Sequence, residues 1–191
     1  MRAQNGQKAI DFTLEDMNGI KHSLSELKGK KILLSFYRDA TCPFCNLRVY
    51  ELTRRYPEFQ AKNMVMVAVF HSHKVTVKRY VGKGDRPFML LADPEKVTYK
   101  LYEVHKSIPK LMKAFLKMGR MFRAFSKGYG PSMATMKPWL PVDILIDENF
   151  IVRDAFYSDD AATHIPMQRI EKFVSKGPQR SVSASEQTAV A

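Results

Sequence analysis

Two continuous apolar runs constrain the fold more than any other feature of this chain. Residues 31–37 read KILLSFY and residues 64–70 read MVMVAVF. Strands that are buried on both faces have this pattern, and they lie at the centre of a sheet. The segment CNLRVYELTRRYPEFQAK (45–62) separates the two runs and has the composition of a helix. The succession of strand, helix and strand predicts an α/β domain.

Two alternating segments flank this centre. Residues 9–24 alternate around Asn18-Gly19, a dipeptide typical of tight hairpin turns. Residues 140–158 alternate around a turn near Glu148-Asn149 and predict a second hairpin. Between and after these hairpins we expect a short strand and further helices, at 87–93, 76–84, 95–104 and 165–176. The whole predicts a mixed central sheet with helices on both faces and an N-terminal hairpin.

The only two cysteines, Cys42 and Cys45, follow the first apolar run at the predicted start of a helix, where Pro43 suits the first turn. A disulfide between them closes a ring too small to restrict the unfolded chain much, which weighs against a structural role. The five histidines are scattered without the paired spacing of a zinc site, so we predict no metal. Redox chemistry is the interpretation that fits this position best.

The start of a helix favours the thiolate form of a cysteine, because unpaired backbone N–H groups and the helix dipole stabilise negative charge there. We expect Cys42, the first of the pair, to be the more exposed residue and the attacking group. Cys45 lies one turn further on and is expected to resolve the intermediate formed on Cys42. Arg38 precedes Cys42 by four residues and is expected to add positive charge to the site.

The stretch FYRDATCPFC (36–45) resembles the thioredoxin superfamily, and its surroundings resemble the peroxiredoxin-like branch, the alkyl hydroperoxide reductase and thiol-specific antioxidant family. The similar segments lie between residues 9 and 175. The resemblance implies a thioredoxin-like fold, no bound cofactor and an external dithiol reductant such as a thioredoxin-type donor. It also implies that Leu140 and Pro141 lie beside the cysteines, with Pro141 in the cis form, and that Thr41 and Pro43 support the site.

The chain departs from both family patterns. Asp39 stands three residues before Cys42, where peroxiredoxins carry a hydroxyl, and Thr41 is out of that register. Phe36 stands where thioredoxins keep a buried aspartate. Asp39 is interpreted as a solvated loop carboxylate, with a role as proton acceptor as the alternative. His71 is interpreted as a solvated residue at a strand end, and nothing in the pattern singles out His164.

Three functions therefore stay open. The first is reduction of peroxides by Cys42, with Cys45 as the resolving residue. The second is thiol-disulfide exchange on protein disulfides. The third is a redox sensor without turnover, in which a basic helix docks to a membrane or a partner.

The basic helix is predicted within residues 105–138, a window without a single acid that supplies eight charges of the formal net charge of +12. Its basic residues are Lys106, Lys110, Lys113, Lys117, Arg120, Arg123, Lys127 and Lys137. The first five of these follow a spacing of four, three, four and three residues, which predicts one amphipathic helix over about twenty residues. Its apolar stripe is Ile108, Leu111, Phe115, Met118, Phe122 and Phe125. Packing of this stripe on the domain or on a second subunit is the favoured interpretation. The alternative is an anionic membrane surface contacted through 106–127.

The remaining expectations concern organisation and location. Residues 1–176 are predicted to form one domain with 105–138 as an insertion, and 177–191 a disordered tail. The sequence has no long apolar run and no secretory signal, which favours a cytoplasmic protein. Nothing resembles a nucleic-acid reading module, so no specific nucleic acid is expected. A homodimer remains open.

Overall fold

The computed structural model describes residues 2–83, 86–130 and 137–177. The strands are β1 (Thr13–Asp16), β2 (Lys21–Ser23), β3 (Lys31–Tyr37), β4 (Met64–Phe70), β5 (Met89–Ala92), β6 (Val142–Ile146) and β7 (Val152–Tyr157). The helices are α1 (Pro43–Gln60), α2 (Lys74–Tyr80), α3 (Val97–Leu101), α4 (Ile108–Phe115), α5 (Met118–Ser126) and α6 (Met167–Ser175).

The described strands form one seven-stranded sheet in the order β2-β1-β5-β4-β3-β6-β7. The pairs β3–β4 and β4–β5 are parallel, and the other neighbours are antiparallel. Both predicted hairpins are therefore confirmed, as is the central position of the two apolar runs. In β3, Ser35 lies between Ala68 of β4 and Asp143 of β6. Asp143 is thus carried into the middle of the sheet.

The sheet divides the core into two apolar layers. Leu33 and Tyr37 of β3 face one layer, which contains the buried sides of α1 and α6. Leu34 and Phe36 face the other layer, together with Tyr99 of α3. Alternate residues of a strand point to opposite faces, so a run that is apolar throughout needs cover on both sides. The prediction of a mixed sheet with helices on both faces is confirmed.

The basic window folds differently from its prediction. Instead of one helix it forms α4 and α5, because Lys117 leaves the helical conformation with φ −87° and ψ 59°. The break allows the Lys117 ammonium to bond the Asp160 carboxylate at 2.7 Å. Gly119 just beyond it also has a low helix propensity, which disfavours a continuous helix. The expectation of a single helix is wrong for this reason.

The burial of the predicted apolar stripe also differs. Leu111 is buried in the core, but Ile108, Met118, Phe122 and Phe125 are exposed. The small residues Ala114 and Ala124 take much of the contact with the domain. Small side chains allow a close approach of the helix, which leaves the bulkier neighbours outside. Packing on the domain is therefore wrong for most of the stripe, whereas packing on a second subunit stays a prediction.

Two further expectations concern the C-terminal tail and a membrane-spanning helix. The predicted tail, 177–191, lies outside them except for Gly177. Within the described ranges, no helix combines the length and the apolar character that a membrane span needs.

Candidate active site

The cysteine pair lies at the start of α1, after the loop that follows β3. Cys42 is the N-cap residue of α1, with extended backbone angles, and Pro43 occupies the first helical position. Proline costs nothing there, because the first N–H groups of a helix have no partner within the helix. The Cys45 N–H donates to the Cys42 sulfur at 3.4 Å. The capping group of this helix is therefore a thiol.

Both cysteines are free and fully buried, with 0% of their surface exposed. The expectation that Cys42 is exposed is wrong. The apolar cluster that contains the pair also contains Leu111 and Ala114 from α4 and Ala161 from the loop after β7. These segments are distant in sequence and share one buried core with the cysteines.

The environment separates the pKa values of the two thiols. Burial alone raises the pKa of Cys42, but a hydrogen bond with the Cys45 thiol, the charge of Arg38 and the first N–H groups of α1 outweigh it and lower the pKa to about 6. Burial raises the pKa of Cys45, and so does the neighbouring Cys42. Cys42 is therefore a thiolate near neutral pH, whereas Cys45 keeps its proton.

The loop before Cys42 is held by a buried carboxylate. The Thr41 backbone N–H and hydroxyl donate to one oxygen of Asp39 at 2.9 and 2.7 Å, and the Lys137 ammonium bonds the other at 2.7 Å. Burial works to raise the pKa of Asp39, but Lys137 and Thr41 lower it below its usual value. Asp39 is 2% exposed, so the interpretation as a solvated carboxylate is wrong. Its low pKa also makes it a poor proton acceptor.

Thr41 and Arg38 thus contribute to the site in different ways. The Thr41 hydroxyl is directed at Asp39 and shapes the loop. Arg38 is 4% exposed, and its positive charge acts on both cysteines. The loop is further held by the Ala40 N–H, which donates to the Ser72 hydroxyl at 3.1 Å. These contacts fix the approach to Cys42.

Leu140 and Pro141 are buried, and Leu140 belongs to the same apolar cluster as the cysteines. The Leu140 N–H donates to the His105 carbonyl at 3.1 Å, and the Ser158 N–H donates to the Pro141 carbonyl at 3.1 Å. The described residues contain no cis peptide bond, so the expectation of a cis Pro141 is wrong. The trans form is the intrinsically preferred one for proline, and no side chain here requires the other.

A second buried polar group, the pair formed by Asp143 and His164, was not predicted from the sequence. The Asp143 carboxylate accepts from the Ser35 hydroxyl at 2.6 Å, from the Ile165 N–H at 2.8 Å and pairs with His164 Nδ1 at 3.0 Å. Burial works to raise the pKa of Asp143, but His164 and its other partners lower it. The pair fastens the loop after β7 to the centre of the sheet. An acid within the apolar strand VDILI was the available signal.

His71 is half-buried rather than solvated. Its ring lies 5.7 Å from that of Trp139 and 5.9 Å from that of Tyr99, measured between ring centroids. Burial and the charge of Lys137 lower its pKa to about 4. His71 is therefore neutral near pH 7 and forms part of the aromatic wall at the end of β4.

Comparison with known proteins places this geometry in a family. The model of the AhpC/TSA family matches residues 5–155. A putative peroxiredoxin bcp of Helicobacter pylori is 31% identical over 100 residues, which are 52% of this chain and 66% of that protein. Thiol-disulfide oxidoreductase ResA of Halalkalibacterium halodurans is 30% identical over 92 residues, 48% of this chain and 52% of that protein. The aligned part is thus slightly under two thirds of the Helicobacter protein.

Solved structures share the whole architecture. Peroxidoxin BcpB of Mycobacterium tuberculosis superposes with a TM-score of 0.65 at 17% identity and covers 91% of this chain and 96% of its own. A putative thiol:disulfide interchange protein DsbE of Chlorobium tepidum gives 0.62 at 20% identity, with coverages of 90% and 99%. The fold is the thioredoxin-like fold that the sequence predicts. With the family model matched over most of its length, this chain belongs to the AhpC/TSA family.

Proposed function

We propose that this protein is a thiol peroxidase in which Cys42 reacts with the peroxide and Cys45 resolves the product. The observation that carries the proposal is the pairing of a low-pKa thiol with a protonated one, one helical turn apart. The relatives named as peroxiredoxins support it. The pair, Arg38 and the loop held by Asp39 are the machinery, and no bound cofactor enters the reaction.

The reaction has three steps. The Cys42 thiolate attacks one oxygen of the peroxide, the O–O bond breaks, and the leaving alkoxide or hydroxide takes a proton from the medium. Cys42 is then a sulfenic acid. The Cys45 sulfur attacks the Cys42 sulfur, its proton leaves with the hydroxyl as water, and a disulfide forms. An external dithiol reduces this disulfide and returns both thiols.

The burial of the pair favours a peroxide over a protein disulfide as the oxidant. A peroxide is small and needs only a narrow path to Cys42, whereas a protein disulfide must bring its own sulfur into line with the attacking thiolate. Reduction of the Cys42–Cys45 disulfide by a dithiol has the same steric demand. We therefore propose that the buried pair becomes exposed in every cycle, at the reductive step.

The second candidate is thiol-disulfide exchange on protein substrates. The Cys-x-x-Cys spacing and the similarity to the oxidoreductase ResA favour it. It demands that the buried pair become exposed before oxidation as well. A sensor without turnover is less well supported, because the relatives carry names of enzymes.

The partners of the proposal are a peroxide and a thioredoxin-type dithiol protein. A homodimer remains a prediction without a contact to support it. A cytoplasmic location likewise stays an expectation from the sequence.

The test uses the full chain with hydrogen peroxide and dithiothreitol. We expect steady peroxide consumption by the unaltered protein and none above background in Cys42→Ser. In Cys45→Ser, dimedone should trap a sulfenic acid on Cys42, detected by mass spectrometry. Equal consumption by the unaltered protein and Cys42→Ser contradicts the proposal. Reduction of a small aliphatic disulfide without peroxide turnover favours the second candidate.

A further inference from the structure

The exposed apolar side chains of this protein are concentrated in one place. The described residues contain ten large hydrophobic side chains that are exposed, and six of them lie between residues 108 and 125. These six are Ile108, Met112, Leu116, Met118, Phe122 and Phe125. Scattered exposed apolar residues are ordinary, but a concentration such as this marks an interaction surface. We call these six side chains the docking face.

Both inserted helices have buried apolar residues on one side and exposed apolar residues beside them. In α4, Leu111 and Ala114 are buried while Met112 is 53% exposed. In α5, Ala124 is buried while Phe122 is 74% exposed. The apolar surface of each helix is thus wider than the strip that the domain covers. A wide apolar surface on a helix with a basic opposite side is typical of helices that lie in the interface of a membrane.

The positive charges of this segment divide into two groups. One group ties the insertion to the loop after β7: Lys110 bonds Asp159 at 2.7 Å, and Lys117 bonds Asp160 at 2.7 Å. Arg120 belongs to the same group and donates to the Ala162 carbonyl. These residues hold the helices on the domain and are not available to a partner.

The other group is exposed and contains Lys106, Lys113, Arg123 and Lys127. Two of these have ring partners: the Lys106 ammonium lies 4.4 Å from the Trp139 ring centroid, and the Lys127 ammonium lies 5.2 Å from the Tyr50 ring centroid. Arg123 has an acid, Glu51, at 3.4 Å and is still 66% exposed at its side chain. Between residues 105 and 130 the sequence contains no acid of its own. Three acids from elsewhere in the chain lie beside these basic residues: Glu51 near Arg123, Asp159 near Lys110 and Asp160 near Lys117. Basic residues still outnumber acids around the docking face.

This charge pattern discriminates between the occupants of the docking face. A second copy of the chain, related by a two-fold axis, would bring the same excess of positive charge against itself, which is unfavourable. An anionic bilayer offers hydrocarbon to the six apolar side chains and negative headgroups to the lysines and arginines. We infer that α4 and α5 dock this protein to the surface of an anionic lipid bilayer, with Phe122 and Met118 inserted below the headgroups.

The docking has a consequence for the redox site. Leu111 and Ala114 of α4 belong to the buried cluster that contains Cys42. The helix α4 thus carries part of the docking face on its exposed side and shares the core of the redox site on its buried side. Docking therefore places on the bilayer a helix that packs into the same core as Cys42. The inference rests on α4 and α5 alone and does not require the peroxidase chemistry.

The experiment is cosedimentation of the full-length protein with vesicles of phosphatidylcholine and phosphatidylglycerol, and with vesicles of phosphatidylcholine alone. We expect binding to the anionic vesicles that weakens with added salt and little binding to the neutral ones. The double variant Met118→Ser/Phe122→Ser should lower binding at least about tenfold. Val75→Ser/Val97→Ser is the matched control, since these side chains are 72% and 60% exposed outside the insertion.

A second variant keeps the test independent of the apolar changes. Lys113→Glu/Arg123→Glu reverses two exposed charges and should lower binding to the anionic vesicles at least about tenfold. Circular dichroism and thermal unfolding should show that all variants are folded. Binding should be unchanged in Cys42→Ser, which separates docking from the redox chemistry.

Three results overturn the inference. One is the absence of binding to the anionic vesicles. Another is binding that survives Met118→Ser/Phe122→Ser. The third is a concentration-dependent dimer in sedimentation velocity that this double variant abolishes, which assigns the docking face to a second copy.

Discussion

The start of α1 and the inserted helices differ in which side chains they expose to solvent. Cys42 and Cys45 are 0% exposed although their chemistry needs access, whereas Leu116 and Phe122 are 81% and 74% exposed although they are apolar. The two regions meet where α4 packs into the cluster around the cysteines. The difference shows that the reactivity of the Cys42 thiol and its access to solvent depend on different features of the structure. Arg38 and the start of α1 lower the pKa of Cys42, whereas the burial of Cys42 limits what can reach it.

The largest expected effect removes the reactive group itself. Cys42→Ser should lower peroxide turnover at least about 1000-fold, because no other described thiol has a lowered pKa. Cys45→Ser is the matched control. It should still consume about one equivalent of peroxide but stop there in the presence of a thioredoxin-type protein. Turnover that persists in Cys42→Ser would move the reactive site elsewhere.

The second prediction compares the two sides of the insertion. Leu111→Ala should lower the free energy of unfolding by about 3 kcal/mol, because it leaves a cavity in the cluster around the cysteines. Leu116→Ala, on the exposed side, should change it by less than about 0.5 kcal/mol. Chemical denaturation measures both. Equal costs would show that Leu111 is not part of the core as described.

The third prediction concerns the ion pair between the two regions. Lys137→Met should lower the free energy of unfolding by about 2 kcal/mol near pH 7, because it leaves the buried Asp39 carboxylate without its cation. The pKa of Asp39 is lowered in the folded state. Its stabilising contribution is therefore complete above the unfolded pKa, near 4, and is lost as the pH falls through the folded pKa.

The difference between Lys137→Met and the unaltered protein should accordingly shrink in acid. Denaturation at a series of pH values measures it. Lys113→Met, an exposed lysine of α4, is the control and should show no such trend. A cost for Lys137→Met that is independent of pH would exclude the ion pair as its cause.

The smallest effect tests how the thiolate is prepared. Arg38→Met should raise the pKa of Cys42 by about one unit above its value of about 6, because it removes the positive charge that stabilises the thiolate. The ultraviolet absorbance of the thiolate, followed against pH, measures this change. Arg54→Met, on the exposed side of α1, is the control. An unchanged pKa would assign the lowering to Cys45 and the helix N–H groups alone.

Local patterns predicted the elements well, because period and turn chemistry depend on neighbouring residues. The runs 31–37 and 64–70, the Asn18-Gly19 hairpin and the helix that follows Cys42 all form as the sequence indicates. The mixed sheet followed from their order. The thioredoxin-like fold came from the resemblance rather than from the pattern.

Burial was harder to predict, because it depends on segments that are far apart in the chain. Nothing near Cys42 in the sequence indicates that Leu111 and Ala161 share its buried core. The stripe on α4 and α5 has the period of a buried face, but Ala114 and Ala124 make the contact instead. The Asp143–His164 pair was missed for the same reason, since its partners come from β3 and the loop after β7.

The most direct test of the central claim is the rate at which the reduced protein reacts with hydrogen peroxide in a stopped-flow instrument. With a pKa of about 6, the thiolate fraction of Cys42 near pH 7 is about 30-fold larger than that of an ordinary cysteine. We predict a reaction faster than that of a free thiol by more than this factor. The rate should level off above about pH 6 and vanish in Cys42→Ser. A rate no greater than that of a free thiol would contradict the account.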